Sequence, residues 1–134
     1  MTDPKTLIRG YCETLWAVVD VTPSYHEDIF DEKAKLPQVV VSHVLTQPKV
    51  IAFSNTLDED NRYYIGTYAV DVWSLKKDER WLMMKEVDRI FQSLIYGDDQ
   101  IDQYEPKAWR DINAVETNPK LYHSQILIEV RYYS

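Results

Sequence analysis

Two long segments with alternating apolar residues constrain the fold of this chain most strongly. In the segment 62–74, RYYIGTYAVDVWS, Tyr68, Val70 and Val72 recur at every second position. The segment 123–133, HSQILIEVRYY, has the same period at Ile126, Ile128, Val130 and Tyr132. A period of two places these side chains on one face of a strand. Each segment therefore predicts a long strand in a sheet that is covered on one side.

Two segments have the helical period instead. Residues 75–96 predict a helix with Ser74 as its cap and Gly97 beyond its end. Its apolar stripe comprises Met83, Met84, Val87, Ile90, Phe91, Leu94 and Ile95. Residues 2–19 predict another helix, capped by Thr2 or Asp3, with Pro4 in its first turn. Its predicted apolar side comprises Leu7, Ile8, Tyr11, Cys12, Leu15, Val18 and Val19.

The remaining elements complete a mixed fold. Ser24 and Glu27 form a capping-box pattern that predicts a short helix around Ile29 and Phe30. Further strands are predicted at 38–46, 49–55 and 108–116. The main elements give the order α-β-β-β-α-β-β in a single domain, residues 1–134. We expect an α+β fold, a single layer of mainly antiparallel sheet with two main helices packed on one face.

Composition excludes several classes of protein. The 134 residues include one cysteine, Cys12, so neither an internal disulfide nor a multi-cysteine metal site is possible within this sequence. Residues 1–10 lack the apolar core of a signal peptide, and no apolar run reaches the ~20 residues of a membrane helix. We therefore expect a soluble, non-secreted protein. The net charge of -7, without a basic stripe, disfavours tight nucleic-acid binding.

The sequence gives little support to an enzyme. The three histidines, His26, His43 and His123, form no metal-binding motif, and the three glycines are too scattered for a phosphate loop. The enzyme alternative is a metal-dependent, nuclease-like hydrolase that uses Asp71 with Glu86 or Asp88. A second alternative is a small cellular ligand-binding α+β domain. We expect no catalytic, cofactor-binding or metal-ligating residues.

Surface aromatic residues and acidic loops instead indicate contact with other chains. Ten tyrosines and four tryptophans are many for this length, and both types are favoured at protein interfaces. The expected oligomer or partner interface comprises Asp58, Glu59, Asp60, Arg62, Tyr63, Asp71, Trp73 and Tyr133. A candidate lumen or docking loop follows the second helix, with Asp98, Asp99, Asp102 and Glu105. Asp71 and Trp73 alternate with the apolar residues of their strand, so both are expected on its outward face.

Four stretches together resemble a known group of proteins. They are LPQVVVSHV (36–44), YAVDVWS (68–74), the helix 75–96 and YHSQILIEVRYY (122–133). In this order the chain resembles the small tail-completion, or tail-terminator, proteins of long-tailed phages, archaeal tailed viruses and prophages. The resemblance covers most of the chain from residue 36 onward, whereas the first 35 residues match only in type.

The resemblance implies a structural role in the virion. Such proteins form a ring, usually of six copies, at the head-proximal end of the tail. The ring ends the tail tube and docks to the head connector, or head-completion protein, while DNA passes through its lumen. The implied partners are therefore further copies of the chain, the tail-tube protein and the head connector, without sequence-specific DNA binding. The resemblance supplies no catalytic residue and no cofactor.

Overall fold

The computed structural model describes residues 2–49, 63–112 and 121–133. Within them the chain forms two helices and five strands in the order α-β-β-β-α-β-β, an α+β fold. The helices are α1 (Pro4–Leu15) and α2 (Lys77–Ser93). The strands are β1 (Ser24–Glu27), β2 (Gln38–Lys49), β3 (Tyr63–Ser74), β4 (Gln103–Ile112) and β5 (Tyr122–Tyr133).

The five strands form one mostly antiparallel sheet in the order β1-β2-β3-β5-β4. Only the pairing of β1 with β2 is parallel. Helix α1 packs against β1 and β2, and α2 packs against β3, β4 and β5. The core lies between this helical layer and the sheet. Its strand residues include Tyr68, Val70 and Val72 of β3 and Ile126, Ile128, Val130 and Tyr132 of β5. The predicted alternation of both strands is therefore confirmed.

Helix α2 follows its predicted stripe but not its predicted cap. Met83, Met84, Val87, Ile90 and Phe91 are buried, and Leu94 packs against the core. The helix begins at Lys77, after an N-cap residue, Lys76, that makes no side-chain capping bond. The prediction of Ser74 as the helix cap is wrong, because Ser74 lies two residues before the N-cap position and its hydroxyl accepts a hydrogen bond from the backbone N–H of Lys76 itself.

Gly97 ends the α2 region as predicted. It has a φ of 81°, and a Cβ there would lie 2.1 Å from the carbonyl oxygen of Ile101. Both the backbone conformation and the close approach therefore require glycine.

Helix α1 is shorter than predicted. Asp3 caps it by accepting the N–H of Lys5, and the helix ends at Leu15. Ile8 and Cys12 are buried, but Leu15 and Val19 are exposed, so the predicted apolar side is wrong at its C-terminal end. The chain leaves the helix because Trp16 adopts an extended conformation and donates its indole N–H to the carbonyl of Val21.

The predicted short helix around Ile29 and Phe30 is wrong. Ser24–Glu27 form strand β1 instead, with Ser24 opposite Gln38 and Glu27 opposite Val41. The Glu27 carboxylate, which the capping box would turn toward its own segment, accepts hydrogen bonds from Thr6 and Arg9 of α1. Pairing with β2 and these contacts to α1 override the local helical pattern.

The sheet edges depart from simple strand geometry. Strand β4 begins at Gln103, earlier than the predicted 108–116, and its register shifts between Pro106 and Trp109. Strand β2 extends to Lys49 and has a register shift between His43 and Leu45. The predicted strand 49–55 falls almost entirely outside the described residues, as do residues 113–116. Neither helix within the described ranges has the length and apolar composition that crossing a membrane requires.

Candidate functional site

The face of the sheet turned away from the helices, here called the outer face, carries the polar and aromatic side chains of β3 and β5. Register places Asp71 opposite Gln125 and Trp73 opposite His123, so these four side chains share the outer face. At the other end of the same two strands, Tyr63 lies opposite Tyr133. The outer face therefore has two separate groups of polar and aromatic residues.

The first group, here called the His123 cluster, comprises Phe30, Asp71, Trp73, His123 and Gln125. The His123 Nε2 atom lies 2.6 Å from Asp71 Oδ1, and Gln125 donates to the same oxygen over 3.1 Å. The rings of Trp73 and His123 stack with centroids 3.7 Å apart and planes 12° from parallel. The ring of Phe30 contacts the indole at 4.7 Å.

The segment after β1 holds Phe30 against the sheet. Gln38 is fully buried, and its side-chain amide donates to the carbonyl of Asp31 over 2.6 Å. Its side-chain oxygen accepts the N–H of Asp31. These bonds fix the start of β2 to the segment that carries Phe30. The Asp71 and His123 side chains are consequently only 13% and 10% exposed.

Sequence reasoning placed Asp71 and Trp73 on the outward face but missed their partners. Phe30, His123 and Gln125 were not expected in the group, because they lie on different elements; His123 is 52 residues from Asp71. The alternation of 123–133 did place His123 and Gln125 off the apolar face, which was the available signal. Contact of Asp71 and Trp73 with another chain stays a prediction, since the contacts described are intramolecular.

The carboxylates of the hydrolase hypothesis do not meet. Asp71 faces away from the helices, whereas Glu86 lies on α2 and is 5% exposed. Glu86 accepts hydrogen bonds from Arg89, at 2.7 Å, and from the backbone N–H of Ala17, at 2.5 Å. Asp88, on the same helix, is likewise across the sheet from Asp71. Glu86 therefore fastens the chain after α1 to α2 instead of turning toward Asp71.

Hydrogen bonding also determines the ionisation of Glu86. The bond from Arg89 holds the pKa of Glu86 below its ordinary value, with a further contribution from the backbone N–H of Ala17, and together they outweigh burial. Arg89 also donates to the carbonyl of Leu15. The carboxylate and its arginine thus hold the backbone that leaves α1.

Metal-ligand geometry is absent from the parts of the chain that the structure describes: no three His, Cys, Asp or Glu side chains there are arranged to hold an ion. His26 contacts the Ser24 hydroxyl at 2.9 Å, and His43 contacts the Thr46 hydroxyl at 2.7 Å. Cys12 is fully buried, and burial raises the pKa of its thiol to about 12. It packs in the core as a small apolar side chain.

The candidate docking loop after α2 has one firmly held carboxylate. Asp98 accepts hydrogen bonds from the hydroxyls of Tyr11 and Tyr104 and from the N–H groups of Gln100 and Ile101. Burial alone would raise the pKa of Asp98, but these hydrogen bonds outweigh it and lower the pKa. Asp98 therefore joins the loop to α1 and β4.

The other acidic residues of this loop are more accessible. Asp99 and Asp102 are exposed, and Glu105 forms an ion pair with Lys107 at 3.0 Å. Of the four residues predicted here, Asp99 and Asp102 are thus the best placed to meet a partner. Their role as a docking loop stays a prediction.

The second group on the outer face, here called the tyrosine pair, is Tyr63 with Tyr133. Their ring centroids are 4.9 Å apart, and Tyr133 is 54% exposed. Beside them on β5, Arg131 forms an ion pair with Glu129 at 3.0 Å, and hydrogen bonding to Glu129 raises the pKa of Arg131. The structure thus brings two of the predicted interface residues together. Asp58, Glu59, Asp60 and Arg62, predicted beside them, lie outside the described residues.

Comparison with known proteins adds no assignment. No protein-family model matches this chain, and no curated protein matches it either. An assignment of function therefore rests on the fold, the surface and the sequence pattern.

Proposed function

We propose that this chain is a non-enzymatic virion assembly protein, a tail terminator or tail-completion subunit at the head–tail junction. In this role several copies form a ring that ends the tail tube and docks to the head connector. The sequence resemblance supplies the specific role. The observation that carries it furthest is the tyrosine pair on the outer face of a sheet whose two described helices pack on the opposite face.

The surface around the tyrosine pair has the chemistry of a protein contact. Tyrosine combines a large apolar ring with a hydroxyl that tolerates water, so it is favoured at interfaces that form and remain partly wet. The ion pairs of Glu129 with Arg131 and with Lys107, at 3.0 and 3.8 Å, supply a polar rim next to the rings. This part of the outer face is therefore suited to another copy of the chain or to a neighbouring tail protein.

The proposed partners are other copies of the chain, six in a completed ring, together with the tail-tube protein and the head connector. DNA passes through the ring without sequence-specific binding. A net charge of -7 is compatible with a passage that does not bind the phosphates of DNA. The protein is made in the host cytoplasm and resides in the virion, at the head-proximal end of the tail.

The geometry favours this role over the two alternatives. The hydrolase hypothesis requires Asp71 beside Glu86 or Asp88, and the sheet separates them. The ligand-binding hypothesis requires an enclosed apolar pocket. Two of the clefts among the described residues, of about 490 and 480 Å³, lie at the surface, and charged side chains contribute to both.

Deletion of the gene from the virus or prophage that carries it tests the proposal. Electron microscopy should show tails of abnormal length without heads, and the wild-type gene supplied in trans should restore joined particles. Tails of normal length joined to heads in the deletion strain would contradict the proposed role.

Complementation also tests the tyrosine pair. Simultaneous Tyr63→Ser and Tyr133→Ser changes should reduce the yield of joined particles, while the purified protein keeps its fold by circular dichroism. Tyr96→Ser is the matched control, because Tyr96 is 96% exposed and follows the end of α2, whereas the tyrosine pair lies on strands β3 and β5. Equal complementation by the paired variant and the control would remove the tyrosine pair from the assembly surface.

A further inference from the structure

Ile29 is presented to solvent by an unusual turn at one edge of the sheet. The residue follows edge strand β1 and is 75% exposed. Its N–H donates to the carbonyl of Glu27 over 2.9 Å, and the intervening Asp28 has a φ of 73°. Among the described residues Asp28 is the one non-glycine residue with a positive φ. A tight turn of this kind is uncommon, because its backbone conformation is strained. The turn that exposes Ile29 therefore raises the conformational energy of the folded backbone.

Carboxylates surround this exposed isoleucine. Asp28, Asp31 and Glu32 are all exposed, and together with Ile29 they form what we call the Ile29 turn, residues 28–32. The Asp28 carboxylate also pairs with Lys5 at 2.8 Å but remains 59% exposed. The Ile29 turn therefore presents an exposed apolar side chain among three exposed carboxylates, and the exposed Lys33 follows it in the chain.

A groove beside the opposite edge has complementary properties. It has a volume of about 480 Å³, and Val18, Leu82 of α2 and Trp109 of edge strand β4 contribute its apolar wall. Leu82 is 40% exposed and Trp109 is 38% exposed. We call it the α2–β4 groove. Exposed apolar side chains that line a concave surface favour an apolar occupant.

Cations dominate the exposed rim of the α2–β4 groove. Lys85 is exposed and the side chain of Arg89 is 51% exposed, although Arg89 also pairs with Glu86. The acidic groups at the groove are less accessible, since Glu86 is 5% exposed and Asp88 is only partly exposed. An isoleucine bordered by carboxylates therefore complements this groove in both polarity and charge.

The two surfaces lie toward opposite ends of one sheet. The order β1-β2-β3-β5-β4 separates the edge strands by three others, or ~19 Å at the usual spacing between neighbouring strands. The Ile29 turn therefore has to reach the groove of another molecule. A contact between two different surfaces of identical chains is head-to-tail, and such contacts close into rings when the rotation permits.

We infer that the Ile29 turn of one copy occupies the α2–β4 groove of the next copy. The inference rests on the proposed function and deepens it, because it assigns the contact between subunits of the ring. Ile29 is the apolar anchor, and Lys85 with Arg89 faces the carboxylates of the neighbouring turn.

Cysteine cross-linking tests the contact directly. The full chain with Ile29→Cys and Leu82→Cys should form a ladder of disulfide-linked oligomers on mild oxidation, both in purified protein and in cells that produce tails. Cys12 will not compete, because it is fully buried. The control pair, Ile29→Cys with Tyr96→Cys, replaces Leu82 by a more exposed position and should nevertheless give little ladder. Absence of a ladder in both preparations, or an equal ladder from the control pair, would overturn the inference.

Charge exchange tests the rim and guards against a chance encounter of thiols. Adding Lys85→Glu to the Ile29→Cys and Leu82→Cys pair should reduce the cross-linked fraction at least about tenfold, and a further Glu32→Lys change should restore most of it. Both charges are on exposed side chains, so folding should be unaffected. An undiminished ladder with Lys85→Glu would exclude the proposed charge pairing.

Particle morphology separates the two proposals. If the Ile29→Asp variant still restores joined particles to the deletion strain and the cysteine pair gives no ladder, this contact is wrong while the terminator role stands. If deletion leaves normal joined tails but the ladder forms, the head-to-tail contact stands and the terminator role is wrong.

Discussion

The imidazole of His123 lies flat against the indole of Trp73, with ring centroids 3.7 Å apart, while its Nε2 atom contacts Asp71 at 2.6 Å. One side chain thus satisfies a partly buried carboxylate and extends an aromatic stack across two strands. The other ring contact of Trp73 is with Phe30, on the segment after β1, whose ring is tilted by 42° from the indole. The His123 cluster therefore joins distant parts of the chain on the outer face of the sheet.

Removing the polar half of this contact should destabilise the protein. His123→Phe keeps a flat ring beside Trp73 but leaves Asp71 with Gln125 as its remaining donor in the cluster. We expect the free energy of unfolding to fall by about 1–3 kcal/mol, the usual cost of a buried polar group that loses its partner. Urea denaturation at pH 7 measures the change. His26→Phe, at a half-buried histidine whose ring contacts the Ser24 hydroxyl, is the control and should cost less. Equal losses would contradict a special role for the contact with Asp71.

Glu86 should make stability depend on acid pH. Its pKa is lower in the folded protein than the ordinary 4.5, so its contribution is present above that value and is lost as the pH falls through the folded pKa. We expect the urea midpoint of the wild type to fall below about pH 4.5, and Glu86→Gln to show a shallower fall. At pH 7 the variant should lose about 1–3 kcal/mol.

The matched control for Glu86 is Glu13→Gln. Glu13 also pairs with an arginine of its own helix, Arg9, but its side chain is 55% exposed. Exposed pairs contribute about 0–1 kcal/mol, so this variant should remain close to the wild type. Indistinguishable acid profiles for the wild type and Glu86→Gln would show that Glu86 does not fasten α1 to α2.

Cys12 should report unfolding. Since the thiol is fully buried and burial raises its pKa to about 12, a thiol reagent at pH 8 should label it only when the core opens. Labelling monitored by mass spectrometry should be slow without denaturant and should accelerate across the urea transition. Rapid stoichiometric labelling of the native protein would contradict the packing of α1 against the sheet.

Two glycines should respond to alanine in opposite directions. At Gly66 a Cβ would lie 2.9 Å from Tyr68 Cε2 and 3.2 Å from Val130 Cγ2, so Gly66→Ala should cost about 1–3 kcal/mol through overpacking. At Gly10, within α1, a Cβ would meet nothing within 4 Å. Gly10→Ala should therefore raise stability by about 0.5–1 kcal/mol. Thermal unfolding of both variants is the measurement, and a neutral Gly66→Ala would show that Tyr68 can move aside.

Sequence periodicity was sufficient for the centre of the fold. The alternation of β3 and β5 and the stripe of α2 each depend on burial of a single face, and burial is repeated at many positions along the element. An error at one position therefore leaves the assignment intact. Gly97 was also predictable, because a left-handed residue at the end of a helix is a local requirement.

The periphery was less predictable because single distant contacts determine it. Ser24–Glu27 have a helix-capping pattern, yet they form a strand because β2 lies beside them and Arg9 binds Glu27. The contact of His123 with Asp71 likewise spans 52 residues and leaves no local pattern. Helix α1 ends at Leu15 although its apolar residues continue to Val19, since the backbone beyond is held by Trp16 and Glu86.

The strand order has a consequence for synthesis of the protein. Strand β5 is the last of the described strands to leave the ribosome, yet it lies between β3 and β4 in the sheet. Until it emerges, β4 has no neighbour among these strands, and one side of β3 remains unpaired. The growing chain therefore exposes the edges of β3 and β4 that pair with β5 until residues 122–133 are released. Completion of this sheet must wait for β5, and chaperones that bind extended apolar segments would have their longest opportunity immediately before β5 inserts.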